Sequence, residues 1–287
     1  MNFSGKIRIG SRDSPLAIAQ AKIVEDILKN RGYNTEIIEI KSRGDQTDIP
    51  LRMSKEFGLF TKEINSALLE KRIDIAVHSM KDIPTNLEKG LEISAVVKRG
   101  PVEDFLVSKK GLFDLPEGSK IGTSSQRRRE FLKFLRPDIE IVDIRGNLDT
   151  RIKKYKDGAF DGIIVARAGL VRLDINIEGE TLNRDLFLPQ ANQGAIAVVT
   201  RGDIFSKISS LVDDWETHIE TFIEREALRK VGAGCHSTLG LYAKFYGDKI
   251  MFHASHIKDM KRFDFYRFVD AWNIDELLND FMRWYNE

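Results

Sequence analysis

The feature that most constrains this chain is an alternation of short β-branched runs with capped amphipathic segments, met twice along its length. Residues 6–10 read as a strand, and Ser14 with Pro15 then supplies an N-cap and a first helical position where the missing proline N–H costs nothing. Leu16, Ala19, Ile23, Ile27 and Leu28 recur at helical spacing as far as Gly32, and residues 35–40 are extended again. Thr61 is expected to cap a second helix carrying Ile64, Ala67 and Leu68, and residues 73–77 have the continuous apolar character of a strand buried on both faces. The same grammar restarts after Gly100-Pro101, with strands at 104–107, 120–122, 140–144 and 162–165. Helices are expected from Ser124 or Ser125 to Leu135 and over 148–156. The pattern predicts an α/β fold.

The strand expected at 195–200 follows the loop Leu188-Pro189-Gln190-Ala191-Asn192-Gln193-Gly194, and its position suggests a crossing back to the first lobe. From Trp215 the pattern changes to a helix, two strands joined at Gly247-Asp248, a strand near 262–270 and a closing helix over 275–285. The expected division is a discontinuous first lobe (1–98 and 192–213), a second lobe (100–190) and a small α+β domain (214–287), in keeping with 287 residues at about 100–200 per domain.

With 45 Lys and Arg against 44 Asp and Glu, the net charge is +1, which argues against a dedicated nucleic-acid binder. A single cysteine, Cys235, excludes an internal disulfide framework and any multi-thiolate metal site, and fits a reducing compartment. The start lacks a basic-then-apolar signal, so a cytosolic protein without membrane attachment is expected. The five histidines have no metal-ligand spacing, so no metal is expected.

Gly122-Thr123-Ser124-Ser125-Gln126-Arg127-Arg128-Arg129 puts hydroxyls and three guanidinium groups at a helix start, where cations oppose the dipole unless an anion sits between them. A solvated basic face is the other reading of that run. Arg12, Arg145, Arg151 and Arg172 are further cations near strand ends or helix starts, the edge at which open α/β sheets bind ligands, and together they point to a polyanionic small molecule. Val77-His78-Ser79-Met80-Lys81-Asp82 leaves a buried-type strand and brings Ser79, Lys81 and Asp82 to that edge before Pro84 stops any helix. Asp82 reads either as a carboxylate kept ionised to stabilise a developing cation or as a turn-capping residue paired with Lys81. His78 reads as a core histidine, and Cys235 in its glycine-rich loop as a nucleophile, a covalent tether or a small buried residue.

Taken in order, Arg12-Asp13-Ser14-Pro15-Leu16-Ala17 with Gln20, Gly44-Asp45, Gly58-Leu59-Phe60-Thr61-Lys62-Glu63, residues 77–82, residues 122–128, Arg145-Gly146-Asn147 with Arg151, Ala168-Gly169-Leu170 with Arg172, and Gln193-Gly194-Ala195 resemble the hydroxymethylbilane synthase (porphobilinogen deaminase) family. The resemblance covers about the first 240 residues. It implies two lobes like those of periplasmic binding proteins, with mixed sheets, plus a third antiparallel domain carrying the cysteine loop. It further implies a cytosolic monomer that condenses four porphobilinogen molecules head to tail with release of ammonia and hydrolyses the product, and no nucleic-acid or membrane partner. The alternative is a non-catalytic bilobal binding protein for a small polycarboxylate.

By that resemblance Cys235 carries a dipyrromethane cofactor through a thioether and Asp82 is the catalytic carboxylate. Ser79, Lys81, Asp82, Thr123, Ser125, Arg127, Arg128 and Arg145 would hold the cofactor, and Arg12, Ser14, Gln20, Phe60, Arg145, Arg151, Arg172 and Gln193 the substrate. Two segments depart from the family's common pattern: Lys55-Glu56-Phe57 stands where Gly-Gly-Lys is usual, and His236-Ser237 follows the cysteine.

Overall fold

A computed structural model describes residues 5–41, 61–233 and 237–287. The chain divides into two compact units, Met1–Gly100 with Ala195–Ile219 and Pro101–Gly194 with Glu220–Glu287. Phe60, Cys235 and the 55–57 segment lie outside the described residues.

In the first unit, β1 (Lys6–Arg12) runs into Ser14, whose hydroxyl accepts the Ala17 N–H and caps α1 (Pro15–Asn30), and β2 (Asn34–Ile40) returns parallel to β1. Helix α2 (Lys62–Leu69) follows, with Thr61 at the expected N-cap position but buried, in a helical conformation, and with no capping bond from its side chain. Strand β3 (Ile75–Ser79) pairs parallel with β1 and ends in a single 3₁₀ turn, Met80–Asp82. Strand β4 (Glu92–Val97) closes this stretch.

In the second unit, β5 (Asp104–Val107), β6 (Lys120–Gly122), α3 (Gln126–Leu135), β7 (Glu140–Val142), α4 (Leu148–Lys156), β8 (Gly162–Ala166), α5 (Arg167–Arg172) and β9 (Gly179–Thr181) follow in order. Strand β7 stops earlier than its composition suggests because the Ser124 hydroxyl takes both backbone groups of Ile144, donating to its carbonyl and accepting from its N–H. Strand β10 (Ile196–Thr200) belongs to the first unit, where it lies antiparallel between β3 and β4. The expected crossing back is therefore present. The chain continues through α6 (Ile204–Ser209), α7 (Trp215–Lys230), β11 (Gly240–Tyr246), β12 (Lys249–Lys258), β13 (Lys261–Asp270) and α8 (Ile274–Asn286).

The two five-stranded sheets share one plan, with orders β2-β1-β3-β10-β4 and β7-β6-β8-β5-β9. In each, three parallel strands are followed by one antiparallel strand, β10 in the first and β5 in the second, and β10 reaches its sheet only after the chain has passed through the second unit's 101–194 segment. Alternation in the strands splits their side chains between two faces. Ile7, Ile9, Ile75, Val77 and Val198 pack with Ala21, Val24 and Leu28 of α1, whereas Ala76, Ala197 and Val199 pack with Ile64, Ala67 and Leu68 of α2. In the second unit Leu106, Ile121 and Ile164 meet Phe131 and Leu132 of α3, while Val107, Ile163 and Val165 meet Ile152 of α4 and Leu170 of α5. Parallel strands buried on both faces need this double cover.

The antiparallel sheet β11-β12-β13 contributes Tyr242, Met251 and Ile257 to the same cluster as Phe131 and Phe187. Its other face receives Phe281 of α8, whose ring lies 5.5 Å from Phe252 and 5.9 Å from Phe265. Two buried glutamates of α7 secure the sheet by accepting backbone N–H groups of its edge strand, Glu224 from Ala243 and Glu220 from Phe245. At Gly240 the backbone comes so close to Leu188 that a Cβ would lie 2.8 Å from the leucine Cβ and 2.9 Å from its carbonyl oxygen.

His78 is the one expectation of this region with a pH consequence. It sits on β3, buried, with Nε2 lacking a hydrogen bond, as a core histidine. Burial, and secondarily the Arg12 charge, push its pKa down to about 4, so the folded protein holds it neutral well below its ordinary range.

Two outcomes are expected. Because the folded pKa of His78 lies below that of the unfolded chain, its contribution to stability is complete above about pH 6.5 and is lost as pH falls through about 4, roughly 3 kcal/mol in all. Denaturant titrations of His78→Leu beside the parent should show a shallower loss of stability across that window; an unchanged slope would remove His78 as its source. Gly240→Ala should lower stability by about 1–3 kcal/mol in urea unfolding, since the clash is partly with backbone that cannot move aside as a rotamer.

Candidate functional site

The residues singled out from sequence gather at the C-terminal ends of strands, in two groups. In the first unit Arg12 is the last residue of β1, and Ser79, Lys81 and Asp82 lie at the end of β3 and on the turn after it. The turn is anchored where the Met80 N–H donates to the Ala195 carbonyl at 3.1 Å. Gln20, buried on α1, donates its amide to the Ser79 hydroxyl at 2.8 Å, so two expected ligand contacts are also partners of each other. Ser14 is committed to capping α1, with a 3.4 Å bond from the Ala17 N–H. Asp82 is half-buried, and among the described residues no side-chain hydrogen bond or ion pair engages its carboxylate.

In the second unit the hydroxyls and arginines of residues 123–129 stand at the start of α3, with the arginines pointing in different directions. Ser125 is the N-cap, its hydroxyl accepting the Arg128 N–H at 3.5 Å, and buried Thr123 accepts the Ser125 N–H at 3.3 Å. Arg127 and Arg128 turn inward onto one carboxylate, Asp104 at the head of β5. Arg127 donates to Asp104 Oδ2 at 2.5 Å and to the Leu188 carbonyl at 2.6 Å. Arg128 grips Oδ1 through Nε at 3.1 Å and Nη2 at 2.7 Å, and donates to the Ile164 carbonyl at 2.8 Å. Gln193 completes the group by donating to Asp104 Oδ1 at 2.9 Å and the Val102 carbonyl at 2.8 Å.

Of the two readings of the arginine run, the solvated basic face is ruled out for Arg127 and Arg128. Arg127 is 1% exposed and Arg128 7%, because a buried counter-charge draws both into the unit. Arg129 takes the remaining side and pairs with Asp143 at 2.6 Å. Asp104 was not legible as a functional residue; the one signal was an acid opening an otherwise apolar strand in a chain with two adjacent arginines in need of a partner.

Burial by itself would push the Asp104 carboxyl up, but the charges of Arg127 and Arg128 outweigh it and hold the pKa down at about 2. Burial pushes Arg127 down, and the like charge of Arg128 adds to this against the pull of Asp104. Two guanidinium groups on one carboxylate leave one positive charge over, and the buried Arg127 Nε has no hydrogen-bond partner. Arg172, at the end of α5, donates to the Gly194 carbonyl at 2.5 Å, and no carboxylate among the described residues pairs with it. Burial pushes its pKa down to about 10. Arg145 follows β7, and Arg151 on α4 donates to the Gly146 carbonyl at 2.8 Å. The second unit thus presents surplus cationic charge and helix-start N–H groups at its strand ends, a donor set suited to a ligand with several carboxylates. Among the described residues no group of His, Cys, Asp and Glu could hold a metal ion, and no helix is long and apolar enough to cross a membrane.

Residues 7–206 match the family model described as porphobilinogen deaminase, dipyromethane cofactor binding domain. A probable porphobilinogen deaminase of Sulfurisphaera tokodaii is 46% identical over 245 residues, covering 84% of this chain and 83% of its own. One from Metallosphaera sedula is 45% identical over 258 residues, with coverage of 90% and 88%. Among solved structures, the methionine binding protein MetQ matches with a TM-score of 0.43 and 14% identity, over 77% of this chain and 96% of its own. On the family model and these relatives, the chain belongs to the porphobilinogen deaminase family.

Proposed function

We propose that this chain is a hydroxymethylbilane synthase, a transferase of tetrapyrrole synthesis that joins four porphobilinogen molecules on a covalent dipyrromethane primer, releases ammonia at each addition and frees hydroxymethylbilane by hydrolysis. The observation that carries this reading is the cationic surplus at the strand ends of the second unit: Arg127 and Arg128 share one carboxylate, and Arg172 has a carbonyl but, among the described residues, no acid. Each pyrrole ring brings an acetate and a propionate, and guanidinium groups bind carboxylates through parallel N–H donors. The dipyrromethane fits this donor set, and when bound it supplies the free pyrrole α-carbon at which the chain grows. Cys235, the one cysteine of the sequence, is its proposed point of attachment.

The roles of the protein's own groups follow from their charge. Asp82 accepts hydrogen bonds from pyrrole N–H groups and stabilises the positive charge that develops as ammonia leaves; it then receives the proton displaced when the new carbon–carbon bond forms. Its half-buried carboxylate, unengaged among the described residues, supports that assignment. Ser79 and Lys81 on the adjoining turn hold cofactor carboxylates with Thr123, Ser125, Arg128 and Arg145, while Arg12, Arg151, Arg172 and Gln193 serve the incoming substrate. Arg127 contributes from behind as part of the buried cluster. Ser14, Gln20 and Phe60 complete the proposed substrate contacts. Three functional parts (1–98 with 192–213, 100–190, and 214–287) are proposed, supported by the three separate sheets. A monomer in the cytosol completes the reading, and the single cysteine supports a reducing compartment.

Ammonia release and pyrrole consumption, followed with porphobilinogen as the sole substrate, test the proposal. Asp82→Asn should lower kcat by about 10²–10⁴ with the fold intact by circular dichroism. Arg172→Gln should raise KM about tenfold with a smaller change in kcat, as expected for a group that binds ground state and transition state alike. Binding of porphobilinogen by the parent protein without ammonia release would instead identify a polycarboxylate-binding protein.

A further inference from the structure

The Asp104 cluster extends the proposed function, on which the following rests. Asp104 is fully buried, and both its oxygens are occupied, Oδ2 by Arg127 and Oδ1 by Arg128 and Gln193. It has no edge left for a ligand. Its partners are different in kind. Arg128 uses three of its five N–H groups on Asp104 and Ile164, which leaves two N–H groups not used there, and Gln193 belongs to the return loop between the units in sequence.

Neighbouring residues on a helix project about 100° apart, so Arg127 and Arg128 do not converge through helix geometry. They converge because one carboxylate takes both. Arg127 is tied on its far side to the Leu188 carbonyl and stacks with its guanidinium carbon 5.6 Å from the Phe187 ring centre, so it fixes Oδ2 as a strut. Arg128 is then oriented by one N–H on the Ile164 carbonyl and by two that converge on the single oxygen Oδ1. The same oxygen draws in Gln193, whose neighbour Asn192 is held in the left-handed region at φ 65° while its N–H donates to buried Glu224.

We propose that Asp104 is a positioning residue of the condensation, acting through Arg128 and Gln193: it touches no substrate or cofactor, and it sets the direction in which Arg128 meets a pyrrole carboxylate. A carboxylate that served only to hold the fold together would affect stability, whereas a positioning group also changes how well the protein takes up its primer and substrate.

The test uses the full chain with Asp104→Asn, Asp104→Glu, Arg128→Gln and the two double variants at these positions. The readouts are the pyrrole content of purified protein by an aldehyde colour reaction, KM and kcat for porphobilinogen, and the melting temperature. Asp104→Asn is expected to lower pyrrole content and raise KM about tenfold while kcat per loaded molecule falls less than threefold, and Asp104→Glu, which keeps the charge, to recover part of both. In the Arg128→Gln background neither Asp104 change should lower loading or raise KM further by more than about twofold, because the group it orients is already gone. Should Asp104→Asn fail to fold, Asp104→Glu carries the same cycle. Full and additive effects in the Arg128→Gln background, or parental loading and KM in folded Asp104 variants, would overturn the inference. A parent protein that binds no pyrrole and releases no ammonia would instead overturn the proposed function, so the two failures are distinguishable.

Discussion

Everything in the second unit is arranged around a buried negative charge. Taking a carboxylate out of water costs several kcal/mol even after relaxation, and Asp104 is tolerated because two guanidinium groups and an amide close around it. Those four side chains come from β5, α3 and the loop that precedes β10, and they reach the carbonyls of Val102, Ile164 and Leu188. One polar knot therefore fixes the relative placement of a strand, a helix start and a return loop. It also leaves the unit with more positive than negative charge at the place where strand ends and helix N–H groups face outward. The anchoring of these elements and the surplus of positive charge thus have the same source.

Within each unit, taken by itself, the strand order gathers these side chains at one sheet edge. Each orders its parallel strands so that their C-terminal ends emerge together, and each includes one antiparallel strand, β10 in the first and β5 in the second. In the first unit this delivers Arg12 from β1 beside the turn that carries Lys81 and Asp82 after β3. In the second it delivers Thr123 and Arg145 from β6 and β7, and Arg172 from the helix after β8. The glutamates of α7 do for the small antiparallel sheet what Asp104 does for the parallel one, spending buried acceptors on backbone N–H groups of β11 and, through Glu224, on Asn192. Such acceptors keep an edge strand and a strained loop residue in place without exposing either charge.

The elements were legible where local chemistry decides them. Ser14-Pro15, Ser125, the β-branched runs of β2 and β8 and the Gly247-Asp248 hairpin each carry a signal that the packed structure agrees with. Strand β9 left no such signal, since its three residues have mostly exposed side chains and are extended because Phe105, Leu106 and Val107 offer them a ladder. Strand β4 also went unread; its Ser94 and Glu92 interrupt the apolar pattern, and pairing with β10 supplies what composition does not. Thr61 shows the limit of cap rules, which recognise a residue type but not its burial. Charge and position along the strands mark the cations in the sequence, while the direction of Arg127 and Arg128 depends on a counter-charge 23 and 24 residues away. Asp104 differs from the exposed acids only in opening an apolar strand, a feature that does not say which cations it meets, so the inward turn of Arg127 has no local signal.

The central claim is that the surplus positive charge exists for a covalently held chain of pyrrole carboxylates. It is tested most directly by the intact mass of protein purified from a cell that makes porphobilinogen, set beside Cys235→Ser from the same cell. The account expects an excess over the sequence mass equal to two linked pyrrole units in the parent and none in the variant. A parent mass equal to that of the bare sequence, even after incubation with porphobilinogen, would contradict it.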